Sequence, residues 1–273
     1  MERQTTQSIP YPDCLTGLND KLKGMRHGEI TLFTSGTGSG KSTVIKEIIW
    51  HLLSTTKERT GLISLEESVG DTAEKLIGMS INKRIGGDFP VSKEEMREGF
   101  DKVFKDERLV LLDHQGSVED SSLIDKIEYM ALMGCKYLFL DHITIAVSEG
   151  NDGLTGNAAV DKVMSDLLKI VKKHNIWLGI VSHLRKAGDG KAFEEGNMAS
   201  IDDIKGSGSI KQISFDIIAF SRNLVAETIN ERNKISFTVL KSRFTGLTGP
   251  AGVSIYDTST GRLEKGESGF DII

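Results

Sequence analysis

The sequence predicts an α/β fold: a mostly parallel, twisted sheet flanked by helices, with a hairpin at the C-terminal end. Short apolar runs alternate with helix-like stretches along nearly the whole chain, the pattern of parallel strands joined by helical crossovers. A glycine-rich loop sits between the first strong strand and the helix after it. Several later strands end in a lone carboxylate or histidine. At 273 residues the chain suits one large domain rather than two ordinary domains and a linker.

The elements follow in order. Residues 1–12 are polar, with two prolines, and are expected to form an arm with no fold of its own; residues 13–266 form the domain and 267–273 a short tail. Ile30–Thr34 is a short apolar strand. Lys41–Leu53 is a helix, in which Val44, Ile45, Ile48, Ile49, Leu52 and Leu53 recur at helical spacing as one buried stripe. Strand Gly61–Leu65 runs into Glu66 and Glu67. Helices are expected near 71–80 and 93–105, the second soon after Pro90. Strand Leu109–Leu112, helix Ser122–Met133, strand Tyr137–Leu140, helix Ala159–His174 and strand Trp177–Val181 come next. Gly188–Asn197 is rich in glycine and charge and reads as a loop. Strands Ile217–Phe220 and Ile235–Lys241 precede a hairpin around Gly252–Tyr256 and Arg262–Glu264.

The bulk numbers exclude several classes. Hydrophobic content of 38% and charged content of 27% are those of a globular protein. No apolar run is long enough to cross a bilayer, and the N-terminus lacks the apolar core of a signal peptide; a cytoplasmic location and no membrane partner are expected. Cys14 and Cys135 fit no metal-ligand spacing and read as reduced structural thiols. A net charge of −5 argues against a broadly basic surface. Any contact with nucleic acid must therefore be local, on a few loops.

The strongest chemical signal is Ser35-Gly36-Thr37-Gly38-Ser39-Gly40-Lys41-Ser42, followed by Thr43. Its glycines let the backbone wrap a phosphate closely with N–H groups turned inward, and the helix beginning at Lys41 adds its positive dipole end. Lys41 is placed to reach the β- and γ-phosphates of a nucleoside triphosphate and Ser42 to ligate Mg2+. Ser35 stands where the usual pattern has glycine, with a glycine one residue later. Phosphoryl transfer also needs a carboxylate for the metal and a base for water. Asp141, ending an apolar strand at the open edge of a parallel sheet, suits the metal. Glu66 suits the base, with adjacent Glu67 as an alternative. His183 reaches the same edge and is a candidate γ-phosphate sensor; His142 is a weaker one.

These segments resemble the helicase domain of phage primase–helicases and of the mitochondrial replicative helicase, within the RecA/DnaB-like ring ATPases. The matching stretches are TSGTGSGKST (34–43), GLISLEES (61–68), DTAEKLIG (71–78), CKYLFLDHITI (135–145), GIVSHL (179–184), GKAFEEG (190–196), IDDIKGSGSIKQISFDIIAFSRN (201–223), LKSRFTG (240–246) and TGRLE (260–264). They occur in family order from about Thr16 to Glu264. The resemblance implies a RecA-like core that hydrolyses ATP or another NTP with Mg2+. Lys41 and Ser42 would hold phosphate and magnesium, Glu66 would be the base, Asp141 the magnesium carboxylate and His183 the sensor. It also implies an arginine finger at Arg243, with Lys241 beside it, acting in a neighbouring subunit's site. Arg222 and Tyr256 would sandwich the nucleobase. Loops facing a central channel would present Arg185, Lys186, Lys191 and Lys205 to DNA phosphates. The implied working unit is a hexameric ring moving 5′ to 3′ on single-stranded DNA at a replication fork, with a separate primase and a DNA polymerase as further partners. No zinc-finger or primase segment is visible, so no priming activity is expected, and no long linker helix precedes the domain.

Two other readings compete with a translocating helicase. A RecA-type filament or loader would use nucleotide as a switch for DNA binding without unwinding. A small-molecule P-loop kinase would need an arginine-rich lid beside a substrate pocket, and no such segment is visible.

Overall fold

A computed structural model of the chain describes residues 8–86, 90–113, 122–143, 156–184, 192–205 and 208–266. The strands are β1 (Ser8–Ile9), β2 (Met25–Arg26), β3 (Ile30–Ser35), β4 (Arg59–Ser64), β5 (Leu109–Asp113), β6 (Cys135–Asp141), β7 (Trp177–His183), β8 (Asp216–Ser221), β9 (Lys234–Ser242), β10 (Gly249–Tyr256) and β11 (Leu263–Lys265). The helices are α1 (Thr16–Leu22), α2 (Lys41–Thr55), α3 (Val69–Ser80), α4 (Lys93–Phe104), α5 (Ser122–Leu132), α6 (Gly156–His174), α7 (Gly208–Ile213) and α8 (Ile229–Asn233).

The main sheet has the order β11-β10-β9-β8-β3-β7-β6-β4-β5. From β8 to β5 every neighbouring pair is parallel. From β8 through β9 and β10 to β11 the pairing is antiparallel, so the expected hairpin extends the sheet on one side. β3 lies between β8 and β7, where successive crossovers diverge; ligands bind at the C-terminal ends of strands at such a point.

Alternation along the strands explains the two cores. Phe33, Tyr137, Phe139, Trp177 and Val181 face one side and pack with the α2 stripe and Leu76 of α3. Leu32, Leu138, Leu140, Leu178 and Ile180 face the other and pack with Leu123, Ile127 and Met130 of α5 and Met164, Leu167 and Val171 of α6. Central strands buried on both faces carry continuous apolar runs, which is why they were readable in the sequence. All six expected α2 positions are buried.

Helix starts are explained by side-chain caps. Ser68 accepts a hydrogen bond from the Asp71 N–H at the head of α3, and Ser92 forms a reciprocal capping box with Glu95 on α4, a device commonly worth about 1 kcal/mol. α2 instead follows Gly40, at φ 91°, with no side-chain cap.

One sequence expectation is corrected at the N-terminal end. Residues 8–12 are not an unfolded arm: β1 pairs with β2, and Tyr11 is buried in the core. The Asn19 side chain holds the Tyr11 backbone at both its N–H and its carbonyl. The polar composition concealed a single aromatic anchor. The short elements α1, α7 and α8 and the β1–β2 ribbon were likewise not anticipated, because runs of two to seven residues carry too few periods to register. At the other end Arg262 makes a two-pronged ion pair with Glu47 of α2, at 2.7 and 3.0 Å. The Leu263 N–H donates to the same carboxylate. Residues 267–273 lie outside the described residues.

Candidate active site

The C-terminal edges of β3, β4, β6 and β7 converge on one place. Strand register sets this: Ser35 lies opposite His183 and Ser64 opposite Asp141. The Leu65 N–H donates to the Asp141 carbonyl at 2.7 Å, so Glu66 emerges beside the end of β6. The expected residues Ser35–Thr43, Glu66, Asp141 and His183 are therefore brought to one edge.

The loop Gly36–Gly40 ends in left-handed backbone at Gly40, which a side chain would strain. Gly36 is needed for a different reason: a Cβ there would lie 2.8 Å from that of Phe193. The Lys41 ammonium bends back to the Gly36 and Ser35 carbonyls, at 2.9 and 3.5 Å. Burial lowers its pKa, against the raising effect of the Asp141, Glu66 and Glu194 charges. The Ser42 hydroxyl donates to Asp141 at 3.2 Å. Burial pushes the Asp141 carboxyl above its usual value despite Lys46, His142 and Ser42. A hydroxyl and a buried carboxylate are hard oxygen donors, the set Mg2+ takes beside phosphate oxygens, so these residues fit that ion.

Glu66 and Glu67 are separated by what they touch. Glu67 is held by Lys46 and Lys75 and accepts from the Thr72 hydroxyl at 3.2 Å, which fixes it between α2 and α3. Glu66 instead accepts from His142 Nε2 at 2.8 Å and lies 3.8 Å from His183 Nε2. Burial raises the Glu66 carboxyl, but the His142 hydrogen bond and the charges of His142, His183 and Lys41 outweigh it and hold it low. His183 is pushed down to about 4 by burial, with His142 and Lys41 adding to the effect. The two imidazoles meet edge to face with centroids 4.0 Å apart.

A cavity of about 440 Å³ opens beside these groups. It is lined by the loop, Glu66 and His183, and also by Arg222 and Tyr256. The Arg222 guanidinium lies 5.4 Å from the Tyr256 ring centroid and is anchored by the Asn233 side chain at 2.9 Å and by the Arg232 carbonyl. Arg84 and Ile235 share the lining and were not singled out from the sequence. Arg84 sits in an irregular basic stretch with no flanking pattern, so only its placement beside the loop distinguishes it.

Lys241 and Arg243 are not at this edge. β9 runs antiparallel to β8, so its end lies at the opposite edge of the sheet. There Lys241 donates to the carbonyls of Lys211, Gln212 and Ser214 at 2.6, 3.3 and 2.8 Å. Arg243 donates to the Gln212 carbonyl and stacks 5.0 Å from the Phe215 ring centroid. Of the expected channel residues, Lys205 is next to β7: its N–H donates to the His183 carbonyl at 3.0 Å. Arg185, Lys186 and Lys191 lie outside the described residues. No helix among the described residues is long and apolar enough to cross a membrane.

Comparison with known proteins agrees with this architecture. A DNA helicase/primase of Enterobacteria phage T3 is 36% identical over 258 residues, covering 92% of this chain and 45% of that protein; the chain thus spans under half the length of this curated relative. The ATPase domain of G40P superposes with a TM-score of 0.77 at 16% identity, covering 97% of this chain and 94% of that one. A DnaB-like replicative helicase, studied with its interactions with primase, gives 0.76 at 15% identity over 97% of this chain and 65% of that one. These two likenesses establish the shared fold. A family model described as the DnaB-like helicase C terminal domain matches residues 12–260, and the chain belongs to that family.

Proposed function

We propose that the chain is the motor domain of a replicative helicase, hydrolysing ATP or another NTP to move along single-stranded DNA and part the duplex. The observation that carries this reading is the division of the catalytic set between two edges of one sheet. Phosphate loop, base, metal carboxylate and sensor gather at one edge, while Lys241 and Arg243 sit at the other. A second copy placed with its far edge against this site would complete it, as in a ring, and we take a homo-hexamer as the working unit. The name of the phage relative, a DNA helicase/primase, agrees with a helicase reading, and we take a primase as a further partner.

In the hydrolysis step the loop N–H groups and Lys41 hold the β- and γ-phosphates in line with a water beside Glu66. Glu66, kept ionised by its surroundings, takes the water proton as the new P–O bond forms and the bond to the diphosphate breaks. Magnesium, held through Ser42 and Asp141, would supply neutralisation of the phosphate charge. His183, uncharged at neutral pH, is placed to hydrogen-bond the γ-phosphate. Its carbonyl bond to Lys205 links that position to the segment proposed to meet DNA, together with Arg185, Lys186 and Lys191. Arg222 and Tyr256 hold the base by stacking.

The test is hydrolysis with and without single-stranded DNA, followed by displacement of a labelled strand from a forked duplex. DNA-stimulated turnover with strand displacement is expected. Nucleotide-dependent DNA binding without displacement would favour a filament or loader instead.

A further inference from the structure

The contacts of Glu66 carry more than base chemistry. Glu66, His142 and His183 each offer one ligand atom, and these atoms lie within 4.8 Å of one another. Glu66 Oε1 is 2.8 Å from His142 Nε2 and 3.8 Å from His183 Nε2. Ligands at about 2.0–2.2 Å around a tetrahedral cation stand roughly 3.3–3.6 Å apart, so the observed separations bracket the required one. The histidines are set by the scaffold: His142 is 3% exposed, and His183 lies in register with Ser35. Glu66, half exposed, is the member free to adjust. The Lys41 ammonium is turned to the loop carbonyls rather than to this group.

The donor set selects the cation. Two imidazoles and one carboxylate are the ligands of Zn2+ and its neighbours in the transition series, whereas Mg2+ and Ca2+ prefer oxygen alone. Glu66 and His183 both line the nucleotide cavity, so a fourth coordination position would open into it. We propose that Glu66, His142 and His183 form a binding site for a transition-metal dication of the Zn2+ class, separate in donor chemistry from Ser42 and Asp141, whose occupancy withdraws Glu66 from water activation and arrests hydrolysis. Metal binding here rests on geometry and donor type; the arrest rests on Glu66 being the base, and the two are measured separately.

The probe is Co2+, added to the whole chain without nucleotide and followed by its visible absorption. A single saturable site is expected, displaced by Zn2+ and not by excess Mg2+. Glu66→Gln keeps the side-chain shape, so its fold is not at risk, and it and His183→Ala should each weaken Co2+ binding by at least the roughly 10–100-fold that loss of an outer-shell partner costs. Cys14→Ser, as a control for a thiol site, should leave the spectrum unchanged. Absence of a saturable spectrum, or one undiminished in Glu66→Gln and His183→Ala, overturns the site. Zn2+ added at saturation should lower kcat while nucleotide still binds; full turnover of the metal-loaded protein overturns the arrest while leaving the site standing.

Discussion

Arg243→Ala tests whether the catalytic unit spans two copies of the chain. Phe215, whose ring stacks on Arg243, donates its N–H to the Ile30 carbonyl at the start of β3, whereas the phosphate loop begins after Ser35 at its end. Five strand steps of about 3.3 Å place the two edges about 17 Å apart. An arginine side chain does not cover that distance, so Arg243 serves another subunit's nucleotide or none. If it serves a neighbour, its removal should cost about 10³–10⁵ in turnover, or about 4–7 kcal/mol of barrier, because the charge it neutralises develops only in the transition state. The loss of stability should be small, about 1 kcal/mol, since Lys241 still bonds three carbonyls at the end of α7. Nucleotide affinity, measured by calorimetry, should stay near that of the parent protein while hydrolysis collapses. Mixing the variant with Lys41→Ala, after co-assembly is shown by mass, should recover turnover, because a Lys41→Ala subunit lends its arginine to an intact pocket. Hydrolysis near the parent rate, or no recovery in proven mixed assemblies, would refute action across the interface.

Other outcomes follow from the site. Glu66→Gln should bind nucleotide and hydrolyse it about 10²–10⁴-fold more slowly, while Glu67→Gln should chiefly lower Tm by loosening the α2–α3 contact; a reversal of the two in single-turnover assays would move the base to Glu67. Tyr256→Ala should raise KM more than it lowers kcat, since the ring is proposed to hold the base and not the reacting phosphate; unchanged KM would remove it from the pocket. Asp216 is raised from 3.8 to about 6 by burial, opposed by Ser242 and by Arg26, which lies 3.2 Å away. Between those values the folded state binds the extra proton, so stability falls as pH rises through the window, by about 3 kcal/mol. Denaturant midpoints measured from pH 4 to 6 should show that slope in the parent and lose it in Asp216→Asn; equal slopes would assign it to other groups.

How much was legible depended on whether the signal was local. The α2 stripe and the central strands repeat their pattern over enough residues to be read, and the glycine loop announces its chemistry within eight positions. Asp141 and His183 were legible because each ends such a strand and Glu66 because it follows one closely, and a parallel sheet aligns strand ends. What was not legible is how Glu67 is engaged: Lys46 and Lys75 reach it from two helices. Tyr11 was hidden because its burial depends on Asn19 and on the β1–β2 ribbon rather than on neighbours of like polarity. Lys241 and Arg243 look in the sequence like a solvated basic pair. Their separation from the phosphate loop emerges only from the reversal of strand direction at β9.

The return of the last strands to α2 gives the site an order of completion during synthesis. Lys41 and the phosphate cradle belong to the first sixth of the chain, but Tyr256 follows Lys41 by 215 residues. At about 5–20 residues per second, the ribosome delivers the loop sequence some 10–40 s before Tyr256, the ring proposed to stack on the base. Until Arg262 arrives, the α2 carboxylate of Glu47, 1% exposed in the finished fold, has no guanidinium to neutralise it. The loop sequence is thus made well before its frame, because β3 pairs only with β7 and β8, which come much later in the chain. Of the residues lining the cavity beside the loop, Tyr256 is the last to be made.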